Sequence, residues 1–201
     1  MSAKLYSTAE SPAGSLIQRV RLQQLEGARG PIATIAGIAL AAAILIAAGN
    51  AFGVLISNTD SAAPAGVYRV VGHEISRGDL VAACLPIAVA QQGLARGYLR
   101  TGGCPGNAEP VDKIVGAVAS DTVDIESGWV AVNGVRFAHS ATVSRDSAGR
   151  SLEHVAWGKR TVAANQVWLF GFNDRRSWDS RYFGPIPAAN LRGRLESVLT
   201  W

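Results

Sequence analysis

Cysteine is almost missing from this chain of 201 residues, which has only Cys84 and Cys104. Two cysteines exclude a disulfide scaffold and leave room for one bridge, provided the compartment is oxidising. Aromatic residues are few, at 7%, while the chain carries 22 glycines. The three histidines, His73, His139 and His154, stand in no metal-ligand spacing, and each reads as a surface or loop residue. HExxH, CxxC and GxSxG are all lacking. "GLARG" and "GGCPG" are glycine-rich, yet no P-loop Lys-Ser/Thr follows them. No metal and no cofactor is therefore expected. The formal charge of +4 is spread along the chain without basic blocks, so nucleic acid is not an expected partner.

Charge is lacking altogether from Gly30 to Thr59. Within that stretch, residues 31–56 read "PIATIAGIALAAAILIAAGNAFGVLI", long enough for the roughly 20 residues that a helix needs to cross a bilayer. Three readings are open: an uncleaved anchor, a signal peptide and a buried core helix. The 30 residues ahead of the run are long for a signal peptide, which favours the anchor. Lys4, Arg19, Arg21 and Arg29 precede it, and such a bias keeps the amino end in the cytoplasm. The expected layout is a cytoplasmic segment 1–30, a transmembrane anchor 31–56 and an external domain 57–201. The external side is oxidising in bacteria, which favours a Cys84–Cys104 bridge.

The external part has little helical periodicity. "GVYRVVGHEI", "RGDLVAACLP" and "NQVWLFGF" have strand character. "VDKIVGAVASDTVDIESGWVAVNGVRFA" reads as several strands, with Asn133-Gly134 as a hairpin turn. "AQQGLARGYL" is the one plausible helix. A mainly β, antiparallel domain with a closed or coiled sheet is expected.

With metal and triad motifs lacking, a serine with a lysine base is the remaining chemistry. Serine is a weak nucleophile until a neighbour removes its proton. Lysine does this only when neutral, which requires burial to lower its pKa from about 10.4. Lys113 stands among Val111, Ile114 and Val115, and strand alternation puts Lys113, Val111 and Val115 on one face. By pattern alone, an exposed strand lysine is the favoured reading, since single charges on strands are usually solvated.

Several segments, in order, resemble the type I signal peptidases, membrane-anchored enzymes with a Ser–Lys dyad, and within them the conjugative-transfer, TraF-type branch. After the apolar run, "NTDSAAPAGVY" is similar to the nucleophile box and "RGDLV" follows it. "RGYL" and "GCPG" resemble the cysteine-containing insert of the conjugative branch, and "DKIVGAVASDTV" resembles the lysine box. "SWDSRYFGPI" is similar to the terminal Ser-x-Asp-x-Arg box. The resemblance implies a signal-peptidase-like coiled antiparallel β domain behind one transmembrane helix in the bacterial inner membrane. It implies Ser61 as nucleophile, in the Ser-x-x-Pro register, Lys113 as general base and Thr59 in the oxyanion hole. The Ser-x-Pro-x-Gly register lands instead on Ala62. Ser177, Asp179 and Arg181 are implied as support for the lysine strand, with Asp179 influencing catalysis. The partners implied are the membrane and a pilin precursor or other membrane-inserted preprotein. A general leader peptidase and a non-catalytic assembly protein of a conjugative secretion channel are the two alternatives.

Overall fold

The computed structural model describes residues 33–44, 54–57, 62–72 and 74–201. Residues 33–44 form helix α1, rich in alanine and uncharged. It belongs to the first of two compact units, residues 1–49; the second covers residues 50–201. Among the described residues no helix is long and apolar enough to cross a membrane. The rest of the apolar run up to Gly53 lies outside the described residues. Its last residues belong to strand β1, Val54–Ser57, which pairs antiparallel with β2, Gly66–Val71.

The second unit is mainly β, and its named pairings are all antiparallel. Its strands continue as β3 (Leu80–Ala83), β4 (Val111–Ala117), β5 (Thr122–Ile125) and β6 (Val130–Val132). Then follow β7 (Val135–Arg136), β8 (Gly158–Thr161), β9 (Gln166–Phe170), β10 (Ile186–Pro187) and β11 (Leu191–Thr200). The larger sheet runs β1-β2-β11-β3-β4-β9-β10 and is open at β1 and β10, so of the two expected forms it is curled and not closed. The smaller runs β7-β6-β5-β8. Asn133 and Gly134, both at positive φ, make the β6–β7 turn as the sequence suggested.

Bulges curl the larger sheet where glycine permits it. Gly116 interrupts the β4–β9 register, and a Cβ there would lie 2.2 Å from the Phe170 ring. Gly193 interrupts β11 at φ +146. Gly66 lets β11 approach β2, since a Cβ on it would sit 2.3 Å from the Leu199 carbonyl oxygen. That accounts for the glycine of the Pro64-x-Gly66 turn.

Two cores result. Val81, Ala83, Val111, Val115 and Leu169 form one with helix α2, Ile87–Arg96. Trp168, Phe170 and the inner residues of β5 and β6 form the other, between the sheets. The short helix α3, Ser180–Phe183, follows β9. Trp178, just before α3, packs against Tyr98 and Phe183 with ring centroids 5.2 Å away in each case.

Cys84 and Cys104 are disulfide-bonded, as expected. The bridge ties the end of β3 to the turn that follows α2. Cys84 also exchanges hydrogen bonds with Asn190 at the start of β11: its N–H donates to the Asn190 carbonyl (2.9 Å) and its carbonyl accepts from Asn190 Nδ2 (2.8 Å). Closing a loop of this length restricts the unfolded chain by about 3 kcal/mol. The Cys84→Ala/Cys104→Ala variant is expected to lose that much in urea unfolding, and an unchanged midpoint would contradict it.

Candidate active site

Strand β4 presents Lys113 to the apolar interior. Its residues alternate as expected: Val111, Lys113 and Val115 are buried, while Asp112 and Ile114 are half-buried. The exposed-lysine alternative is thereby ruled out, since Lys113 is only 7% exposed. Its cross-strand neighbour is Val81, which is fully buried, and Ala83 faces Val111 two positions away. The lysine thus sits on the face that carries the first core. Burial lowers its pKa from the ordinary lysine value, because desolvation penalises the ammonium form. The charges of Asp179, Asp112 and Asp174 oppose this shift, Arg181 assists it, and the net direction is downward.

The segment from Ser177 to Arg181 is held from within. Asp179 and Arg181 are both 0% exposed, so they are not a surface ion pair. Asp179 Oδ1 accepts from Arg181 Nε at 2.8 Å and from the Arg181 backbone N–H at 3.1 Å, capping α3. Its Oδ2 accepts from Arg181 Nη2 at 2.7 Å and from the Gly171 N–H at 2.9 Å. Every acceptor site of the carboxylate is used. Arg181 donates further to the carbonyls of Ala141 (2.9 Å) and Ser177 (3.1 Å). Gly171 follows β9 directly, and β9 pairs with β4, so Asp179 is one strand away from the lysine. Ser177 is buried, and its hydroxyl has no hydrogen-bond partner among the described residues.

Ser61 and Thr59 lie outside the described residues. Ala62, the alternative register, is described and buried. Beyond it, Tyr68 Oη donates to the Pro64 carbonyl at 2.5 Å, fixing the turn onto β2. Burial, followed by the charge of Asp112, raises the Tyr68 pKa and keeps that donor protonated.

The family profile described as Signal peptidase, peptidase S26 matches residues 29–201. The chain belongs to this signal peptidase family. The plasmid transfer protein TraF of Escherichia coli is 32% identical over 169 residues, covering 83% of this chain and 95% of TraF. The probable conjugal transfer protein TraF of Sinorhizobium fredii is 40% identical over 156 residues, covering 75% of this chain and 79% of its own. The crystal structure of a signal peptidase I from Enterococcus faecalis aligns with a TM-score of 0.37 at 21% identity, over 61% of this chain and 97% of that one.

Three positioning residues of this S26 domain escaped the sequence reading. Ser180 Oγ accepts the Leu169 N–H at 2.9 Å, and Tyr182 Oη accepts the Val143 N–H at 3.0 Å. Tyr68 was seen only as the end of a motif. A buried serine and tyrosine beside a Ser-x-Asp-x-Arg box give no periodic signal of their own. Of the histidines described, His139 and His154 are exposed in loops, and His154 stacks on Trp157 at 3.8 Å.

Proposed function

We propose that this chain is a membrane-anchored serine endopeptidase that trims the leader or terminus of a conjugative pilin precursor, with Ser61 as nucleophile and Lys113 as base. The observation that carries this is a lysine buried on an apolar strand face with a lowered pKa, in a chain of a signal peptidase family. The relatives named for plasmid and conjugal transfer favour a conjugative substrate over general secreted proteins.

In this reading Ser61 Oγ attacks the scissile carbonyl carbon as its proton passes to Lys113 Nζ. The Ser61 backbone N–H and the Thr59 hydroxyl stabilise the oxyanion; one such donor is worth about 3 kcal/mol. Lys113 then gives the proton to the leaving amine. Water, or the substrate's own amino end, resolves the acyl-enzyme, and the second route yields a cyclic product. Ser177, Asp179 and Arg181 support the lysine strand, with the Asp179–Arg181 pair holding their segment in place. An anchor ahead of β1, within residues 31–53, in the bacterial inner membrane keeps the β domain on the periplasmic side, where the substrate emerges.

The test combines topology with product mass. Protease added to spheroplasts is expected to digest residues 57–201 and spare residues 1–30. The full chain, mixed in detergent with a pilin precursor, is expected to yield a shortened product, lighter by one further water if cyclised. A domain protected until the membrane is opened, or a precursor left intact beside a cleaved general preprotein, would overturn the proposal.

A further inference from the structure

Two segments with no role so far face each other across an open cavity of about 540 Å³. One wall carries Asp174, Arg175 and Arg176; the other carries His139, Val143 and Arg145. Both walls are pinned by the same buried unit. Arg181 holds the Ala141 carbonyl and Tyr182 holds the Val143 N–H, which fixes the second wall. The first wall is a turn closed on Asp174: its Oδ1 accepts the Arg176 N–H at 2.8 Å and its carbonyl accepts the Ser177 N–H at 3.0 Å. A preformed cavity of this kind spares a ligand the cost of ordering the loops.

Its charge is one-sided, with three guanidinium groups against one carboxylate. Arg145 spends one N–H on the Gly149 carbonyl at 2.8 Å. The side chains of Arg175 and Arg176 have neither an ion pair nor a hydrogen bond among the described residues. Other arginines of the domain are engaged: Arg77 with Asp121, Arg150 with Asp146, Arg181 with Asp179. A cleft lined by one sign of charge concentrates the opposite sign, and the planar guanidinium matches a carboxylate in two parallel hydrogen bonds.

We propose that this cavity is a subsite for an acidic side chain of the polypeptide substrate, bound by Arg175 and Arg176. It rests on the peptidase reading for the identity of its occupant. Its position favours a peptide. The wall residues Asp174–Arg176 run directly into the buried segment Ser177–Arg181, whose Asp179 is bonded to Gly171 at the end of β9, the strand beside β4 and Lys113. A lipid phosphate would need apolar surface beside it. Among the described residues, none of the large exposed apolar side chains lines this cavity.

The full chain in detergent would be titrated with a fluorescein-labelled tetraglutamate peptide, a tetraglutamine control and phosphatidylglycerol vesicles. The glutamate peptide is expected to bind the parent and the tetraglutamine control is not. Arg175→Gln/Arg176→Gln should weaken that binding by about tenfold or more, as expected for lost charge-assisted bonds. Arg175→Lys/Arg176→Lys should retain most of it. Both side chains are exposed, so the melting temperature should not move. Binding that ignores the arginines, in a protein that still cuts its precursor, would overturn the subsite and leave the peptidase reading intact. Arginine-dependent binding of glutamate in a protein that cuts nothing would support the acidic-peptide site and sink the peptidase reading. Arginine-dependent capture of the vesicles without the peptide would overturn the proposal in favour of a lipid phosphate.

Discussion

Lys113→Met is expected to lower precursor cleavage by about 100-fold or more, the scale on which a general base contributes, without loss of stability. Methionine has nearly the length of lysine and fits the apolar face of Val111, Val115 and Val81 without a charge to desolvate. Lys113→Arg should be equally inactive, because a guanidinium does not give up its proton in proteins. The effect on stability has a defined sign. The folded pKa of Lys113 is lowered, so between that value and the unfolded value of about 10.4 the unfolded chain binds more protons. Stability of the parent therefore rises with pH across that window. Below the window the lysine is charged in both states and the burial penalty is felt in full. Urea midpoints of parent and Met variant should differ most in favour of the variant at low pH and converge as the pH approaches the unfolded pKa. A Met variant that still cleaves would remove Lys113 from the chemistry. A pH-independent difference would remove the desolvation account. Ser61→Ala should match the activity loss; restoration of a dead parent by Ala62→Ser would instead select the other register.

Arg181→Met should cost about 3–5 kcal/mol, the range for leaving one member of a buried ion pair without the other. Asp179 would remain with no exposure and only two backbone N–H donors, and the carbonyls of Ala141 and Ser177 would lose their donor. The double variant Asp179→Leu/Arg181→Met removes both charges and should recover part of the loss. A second readout separates this from a purely structural effect. Arg181 lowers the proton affinity of Lys113 and Asp179 raises it. Without Arg181 the unbalanced carboxylate holds the lysine proton more tightly, so the acidic limb of the pH–activity profile should move to higher pH. Urea unfolding and that profile, measured at low temperature, are the checks. A stability loss under 1 kcal/mol, or a limb that moves down, would contradict the role given to the pair.

Legibility followed periodicity. The Asn133-Gly134 hairpin, the alternation around Lys113 and the apolar strand 166–170 were readable because each has a local pattern that the structure keeps. Strand β11 was not read, although Leu191, Gly193 and Leu195 alternate with Arg192, Arg194 and Glu196. Its charges faced outward like those of a loop, and its last five residues are all exposed. The burial of Asp179 and Arg181 was equally hidden. Charged residues are seldom fully buried, and only the paired donors and acceptors around them make the burial tolerable. Their supporting role is an expectation from resemblance; what the structure shows is the bonds that tie them to each other, to Gly171 and to Ala141.

The place of β11 has a consequence for the timing of folding. This strand is the last of the described elements in chain order, yet it lies mid-sheet, paired with β2 on one side and β3 on the other. The larger sheet cannot assemble until residues 191–200 are available to it. Such long-range pairing makes for slow folding, since distant segments must meet before any contact rewards them. Lys113 leaves water only when β4 docks on β3. Until that docking the lysine stays hydrated, and the burial that lowers its pKa is lacking.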